Sequence, residues 1–268
     1  MCDKEKKLPV VSYSKITSYK ECPRKYKFAY IDKLPRKDKP YTIFGQFCHE
    51  VLERFHSFYL DENEDSNAPF IDVMKTSFDK TREKWGDKMT KEQIAEAYNI
   101  MLTYLLLLSE ADKDDLPEVI AVEKKIWAEI DDELILYGYI DRVQRDKDGM
   151  IHVVDYKTTK DPKYLSDKTQ LLLYCYSLMK DDDKMEKIRS SYMLLKHGMK
   201  PMMQEHTREE AIKTKDAFVS TWRNIVNDNL FRAKPIKFRC NMCDFLEHCD
   251  SGKKMMQRDK KFFGKVSW

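Results

Sequence analysis

Between residues 44 and 60, "FGQFCHEVLERFHSFYL", Phe44, Phe47, Cys48, Val51, Leu52 and Phe55 recur at helical spacing and form one apolar stripe. The same period predicts helices over 71–85, 90–111 and 207–228, and another over 14–30 with Pro23 as its break point. Residues 166–180 are apolar nearly all round, as in a buried helix, with Ser166 or Asp167 as N-cap. In 134–145, "LILYGYIDRVQR", and in 150–158 the period falls to two, which predicts strands. Residues 118–131, 188–196 and 201–206 are further strand segments. Helices, a three-strand meander, a helix and a strand pair predict an α/β fold: a central mixed sheet flanked by helices, with a helical insertion near its start.

The hairpin between the two best strands carries the first chemistry. "DKDG" is a turn signal, with Gly149 suited to a left-handed position. A loop of Lys147, Asp148 and Gly149 pairs Asp146 with Met150, Val143 with Val153 and Asp141 with Asp155, and sets Tyr139 opposite Lys157. Opposed residues have Cβ atoms about 4.5–5.5 Å apart, and like charges there are destabilising. Two carboxylates on an otherwise apolar face need a counter-charge, and a hard divalent cation with oxygen ligands meets that need. Lys157 would stand beside it, placed to stabilise charge developing on a phosphate.

Composition adds a compartment and a partner class. No apolar run reaches the length of a membrane span, and the N-terminus lacks the apolar core of a secretion signal, so the chain is expected to be cytoplasmic, without a membrane partner. The net charge of +3 conceals a division. Residues 1–40 carry 12 Lys/Arg against 5 Asp/Glu, residues 230–268 carry 10 against 4, and the middle is left with a net charge of −10. Basic ends of this kind are the footprint of a nucleic-acid binder. Tyr13, Tyr19, Tyr26, Phe28 and Tyr30 interleave with the first basic cluster, as stacking residues for unpaired DNA or as a helix core.

Seven cysteines without a signal peptide argue against a disulfide framework. Cys240, Cys243 and Cys249 form a C-x2-C-x5-C chelating cluster, for which zinc and an iron–sulfur cluster are both open on the residues alone. Cys48 and Cys175 lie on apolar helical faces and are expected to serve as small hydrophobes.

Taken together, these motifs resemble the PD-(D/E)XK nuclease superfamily. Asp141 followed by Asp155-Tyr156-Lys157 resembles its D…(D/E)xK core. Gly45-x3-His49-x2-Leu52-Glu53 resembles the helical histidine motif of its RecB-type branch, and Gln170-x3-Tyr174 resembles that branch's QxxxY motif. Cys22 with the three later cysteines is similar to the four-cysteine iron–sulfur arrangement of AddB nuclease domains and the CRISPR-adaptation nucleases. The chain has no Walker A motif, so the helicase fused to some relatives is not expected.

The resemblance implies a restriction-endonuclease-like core. Asp141, Asp155, His49 and the Tyr156 carbonyl would be ligands of Mg2+ or Mn2+, with Glu53 a lesser candidate, and Lys157, Gln170 and Tyr174 would complete the catalytic site. Cys22, Cys240, Cys243 and Cys249 would hold a [4Fe-4S] cluster, or alternatively structural zinc, as a clasp joining the two basic ends. The implied protein is one nuclease domain over 1–268: a clasp arm (13–43), a helical region (44–117), a catalytic core (118–206) and a C-terminal helix with the cysteines (207–268). Its implied activity is metal-dependent DNA cleavage, as an exonuclease on single-stranded ends, with a helicase or other repair or adaptation proteins as partners. The alternatives are an idle DNA-binding scaffold subunit, disfavoured by the intact Asp141, Asp155 and Lys157, and an electron-transfer protein, for which the chain offers no redox partner motif.

Overall fold

The computed structural model of the chain describes residues 7–36, 39–112 and 115–263. The hairpin predicted from "DKDG" forms with the expected Val143–Val153 pair, but the ladder ends at Arg142–Val154, so the expected pairings of Asp141 with Asp155 and of Tyr139 with Lys157 are not part of it. β3 (Leu134–Arg145) pairs antiparallel with β4 (Ile151–Lys157), with Arg142 opposite Val154, Val143 opposite Val153 and Arg145 opposite Ile151. Gly149 takes a φ of +82°, which a side chain would strain, and the Gly149 N–H closes the turn on the Asp146 carbonyl. β4 pairs parallel with β5 (Lys187–Leu194), which pairs antiparallel with β6 (Lys200–Thr207). A parallel neighbour requires a crossover, supplied by α6 (Thr169–Lys180). β1 (Val10–Val11) adds parallel to the first residues of β3, and β2 (Glu118–Ile130) also pairs with β3. The result is a six-stranded mixed sheet with helices around it, the α/β arrangement expected of a restriction-endonuclease-like core.

The chain divides into two compact units. The larger comprises residues 38–128 and 137–216. Its core is made by α3 (Pro40–Leu60), α4 (Phe70–Trp85) and α5 (Lys91–Glu110) packed on β4. The stripe read from the sequence is that core: Phe44, Phe47, Cys48, Val51, Leu52 and Phe55 are all buried with Val154 and Tyr156. α3 begins earlier than its apolar stripe because Pro40, with no N–H to lose, fits the first helical turn. α6 begins later than expected: Pro162–Leu165 form a short 3-10 turn, and the N-cap is Lys168, which has no side-chain cap bond, rather than Ser166 or Asp167; Asp167 Oδ1, one residue earlier, accepts the Thr169 N–H at 2.8 Å. Cys48 and Cys175 are fully buried free thiols.

The smaller unit comprises residues 1–37, 129–136 and 217–268. The predicted N-terminal helix is broken at Pro23, giving α1 (Tyr13–Glu21) and α2 (Pro23–Tyr26), which runs into a π-helical turn over Lys27–Ile31. The last part of α7 (Arg208–Asn227) belongs here, with α8 (Lys237–Asn241) and α9 (Asp250–Phe263). The sequence reading missed α8, which at five residues is too short to show a period, and α9, where Lys and Arg outnumber the apolar residues that would mark a stripe, and it missed the two-residue β1. Tyr26 stacks on Phe231 with ring centroids 6.1 Å apart, Tyr19 Oη donates to Asp228 Oδ2 at 2.8 Å, and Phe28 packs on Phe245. These aromatics therefore have internal partners.

One buried polar cluster sits in the larger unit. The Arg142 guanidinium, 3% exposed, donates from Nη1 to Tyr104 Oη at 2.7 Å and lies 2.9 Å from His56 Nε2. Arginine cannot accept, so His56 Nε2 must be the acceptor and the ring is neutral, with its proton on Nδ1. Burial first, and then the Arg142 charge, hold His56 well below its ordinary value. Unfolded, it returns to about 6.5. The contribution to stability is therefore present above that value and lost as pH falls below it. His56→Ala should lower stability at neutral pH by about 1–3 kcal/mol, because Arg142 and Tyr104 lose a buried acceptor. It should also flatten the acid side of the stability profile; urea titrations at several pH values would read both, and an unchanged midpoint would refute the account.

Candidate functional site

The hairpin ladder stops at the Arg142–Val154 pair, and the next residues turn their side chains to other use. Asp141 Oδ2 accepts the Tyr156 N–H at 2.6 Å, replacing a ladder carbonyl. The Tyr156 carbonyl accepts from His49 Nε2, 2.9 Å away on α3. A carbonyl can only accept, so Nε2 carries a proton; Nδ1 faces Asp141 Oδ1 at 3.3 Å, where it donates when the ring is protonated and can offer its lone pair to a cation when the ring is neutral. His49 is thus oriented by backbone and presents a ligand-type nitrogen beside a carboxylate, as metal-bound histidines are usually held. Burial lowers its affinity for a proton, but the charge and hydrogen bond of Asp141 outweigh this and the net shift is upward.

The residue that sequence reasoning missed is Glu123. It stands in β2 at a φ of +44°, an irregularity in an otherwise extended strand that re-aims the side chain. Among the described residues, His49, Glu123 and Asp141 are the set whose donor atoms lie within 4.8 Å of one another. Burial and then the charges of Asp141 and Glu53 raise the Glu123 carboxyl to about 7. Nothing near Glu123 in the sequence "VIAVEKKIW" marks it, since the signal is spatial. Glu53, one turn beyond His49, is half-buried and also raised, by burial and by Glu50.

Asp155 is buried and is raised to about 6 by burial, the ion pair with Lys157 only partly offsetting this while Asp141 adds to it. Its Oδ2 lies 2.5 Å from Lys157 Nζ. Lys157 Nζ also donates to Gln170 Oε1 at 3.2 Å, and Gln170 Nε2 donates to Tyr174 Oη at 3.0 Å. Gln170 and Tyr174 share a face of α6 and form a relay that orients the lysine. Gly138 lets the Tyr174 ring approach: a Cβ there would lie 3.3 Å from the ring. Every catalytic and metal candidate read from the sequence is brought into this neighbourhood. The crowding of carboxylates with raised proton affinity, and a mixed nitrogen and oxygen donor set, fit a divalent cation of the Mg2+ or Mn2+ type.

A second constellation lies within the smaller unit. Cys22, Cys240, Cys243 and Cys249 all line one cavity of about 40 Å³, with Phe28, Leu246 and Gly252. The Lys234 N–H donates to Cys22 Sγ and the Gly252 N–H to Cys249 Sγ, both at 3.4 Å. A Cβ on Gly252 would lie 3.0 Å from the end of the Leu246 side chain and in ordinary contact with Cys249 Sγ at 3.5 Å. Among the described residues, no three of these thiols come within 4.8 Å of one another. Around one tetrahedral zinc, with Zn–S about 2.3 Å, the sulfurs would be about 3.8 Å apart. Four thiols lining one cavity are a donor set that zinc and iron–sulfur clusters both use.

Comparison with known proteins bears on both constellations. The chain is 29% identical over 121 residues to an ATP-dependent helicase/deoxyribonuclease subunit of Streptococcus pyogenes serotype M6, covering 44% of this chain and 11% of that protein. The corresponding protein of serotype M49 is 28% identical over the same length, with the same shares covered. The chain thus spans about a tenth of the length of these curated relatives. A solved structure from Eubacterium rectale aligns over 80% of this chain and 79% of its own, with 9% identity and a TM-score of 0.48. The family model described as the PD-(D/E)XK nuclease superfamily matches residues 10–250, a stretch that includes every site residue described above. The chain belongs to the PD-(D/E)XK nuclease superfamily.

Proposed function

We propose that residues 1–268 work as one metal-dependent DNA nuclease domain, cleaving phosphodiester bonds as an exonuclease on single-stranded ends. The observation that carries this reading is the gathering of His49, Glu123 and Asp141 donor atoms beside the Asp155–Lys157 ion pair. His49 Nδ1 and the Asp141, Glu123 and Asp155 carboxylates would hold Mg2+ or Mn2+. One lone pair of the Tyr156 carbonyl is already taken by His49, and the other remains for the cation. A cation bound there supplies Lewis-acid polarisation of the phosphate and lowers the pKa of water at the site. Lys157, held by Asp155 and Gln170, presents its ammonium to the charge that develops on the phosphate oxygens. Tyr174 acts through Gln170 and keeps that ammonium in place.

In the same reading, the four thiols that line one cavity hold a [4Fe-4S] cluster, with structural zinc as the alternative; the N–H donors to Cys22 and Cys249 are of the kind that tune cluster sulfurs. It would tie residue 22 to residues 240–249 and bring the two basic ends of the chain to one clasp. By analogy with the helicase/deoxyribonuclease proteins it resembles, the domain would work with a helicase, inside the cell.

Two experiments test this. Asp155→Asn and Lys157→Ala should each cut Mn2+-dependent degradation of end-labelled single-stranded DNA by about 10²–10³-fold, a loss typical of removing one transition-state group, while DNA binding stays within a few-fold. His49→Ala should raise the Mn2+ concentration required, and isothermal titration should show weaker Mn2+ binding. Wild-type protein that binds DNA but never degrades it would make the chain an idle scaffold protein instead.

Protein purified without oxygen should be brown, with broad absorbance near roughly 400 nm, where thiolate-bound iron–sulfur clusters absorb. Cys22→Ser should lose the colour as completely as Cys243→Ser, whereas Cys48→Ser and Cys175→Ser should keep it. A colourless protein with one equivalent of zinc would remove the iron from this assignment, and full colour in Cys22→Ser would remove the clasp.

A further inference from the structure

The sequence places its clearest aromatic run near the N-terminus, but Tyr19, Tyr26 and Phe28 are occupied by packing partners in the smaller unit. Among the exposed aromatics, Trp127 and Tyr139 lie with Tyr137 on the β2–β3 pair of the larger unit, whereas Tyr41, Tyr98, Tyr164 and Phe238 lie on other elements. β2 alternates, with Ile126 buried and Lys125 and Trp127 turned outward; the Trp127 ring is 54% exposed. β3 alternates in the same sense, with Leu136 and Ile140 buried and Tyr137 and Tyr139 on the other face. The Trp127 and Tyr137 ring centroids are 5.9 Å apart and those of Tyr137 and Tyr139 are 5.6 Å apart. Lys125 Nζ lies over the Trp127 ring at 4.9 Å. Tyr139 is 43% exposed and precedes Asp141 by two residues on the same strand face. At about 3.4 Å per residue, that puts the last ring about 7 Å from the Asp141 position.

We infer that Trp127, Tyr137 and Tyr139 form a stacking platform for the unpaired bases of single-stranded DNA, with Lys125 on the backbone, leading the strand along β3 to Asp141. The inference rests on the nuclease reading and names the feature that would make the site choose single strands. Three observations favour this occupant. The row of rings is continuous with the metal-type site on one strand. Bases in a duplex are already stacked on each other, so exposed ring faces select those that are not. The middle of the chain carries a net charge of −10, which opposes phosphate binding by long-range attraction, whereas stacking does not depend on that charge. A cross-strand aromatic cluster serving only the hairpin would stabilise the sheet and leave DNA affinity untouched.

The test uses fluorescence anisotropy with Ca2+ in place of Mn2+, comparing a labelled thymidine oligonucleotide with an abasic oligonucleotide of equal length. Wild-type protein should bind the thymidine strand more tightly. Trp127→Ala/Tyr139→Ala should bind it roughly tenfold or more weakly, within the range for losing stacked rings, with abasic binding unchanged. Trp127→Leu, which keeps apolar bulk and sheet stability but has no ring face, should behave like Trp127→Ala, and Trp127→Phe should restore most of the affinity. Equal binding of the two oligonucleotides by wild type, or wild-type affinity in Trp127→Leu, would overturn the platform. Cleavage with Mn2+ is read separately: a wild type that discriminates the oligonucleotides without degrading either leaves the platform standing and removes the nuclease reading.

Discussion

Asp141 Oδ2 takes the Tyr156 N–H at the point where the β3–β4 ladder ends, and the rest of the site depends on that one hydrogen bond. It satisfies a buried donor that would otherwise be orphaned as the strands part. It fixes the carboxylate plane, so that Oδ1 faces His49 Nδ1. The same peptide unit offers its carbonyl to His49 Nε2, which closes a ring of Asp141, Tyr156 and His49. The tautomer of the histidine, the direction of the carboxylate and the end of the ladder are therefore one arrangement. Around it the chain concentrates negative charge: Asp155 and Glu123 both hold their protons more tightly than free carboxyls do. Lys157 offsets part of this for Asp155, and the remainder is what a divalent cation would neutralise.

The parts of this that were legible in the sequence are those that depend on local period and short turns. A period of two through Val143 and Val153, with a glycine able to adopt φ of +82°, was enough to fix the pairing of Arg142 with Val154. The α3 stripe located the core and, with it, the turn that carries His49. Glu123 was not legible because its part depends on an irregular backbone angle that brings a distant strand to the site. Of the two uses open to the N-terminal aromatics, the structure shows internal packing for Tyr19, Tyr26 and Phe28. Tyr19 and Tyr26 interleave with lysines in the sequence, but Phe231 and Asp228, some 200 residues later, cover them. Trp127, Tyr137 and Tyr139 have the spacing of ordinary strand residues, and only the pairing of β2 with β3 brings their rings together.

The four cysteines that line one cavity come from irregular parts of the chain. Cys22 sits between two short helices at the break made by Pro23, and Cys249 just before α9. Backbone N–H groups reach two of the sulfurs, that of Gly252 reaching the last. The spacing C-x2-C-x5-C picked out three of the four thiols that line the cavity, and the glycine three residues beyond it, on the first turn of α9, lies beside the last of them.

His49 and His56 stand seven residues apart on α3, about 10.5 Å along one stiff rod. One end is clamped by a buried arginine and a tyrosine, the other touches the peptide that caps the ladder. A helix held at both points cannot slide or rotate by even part of a turn without breaking one clamp or the other. The neutral histidine in the core thereby acts as a mechanical datum for the one at the site. Wear at the buried end, such as a shortened side chain at Phe55 where it packs on Tyr104, would be transmitted as misalignment at the working end, with no change in any residue that touches the substrate.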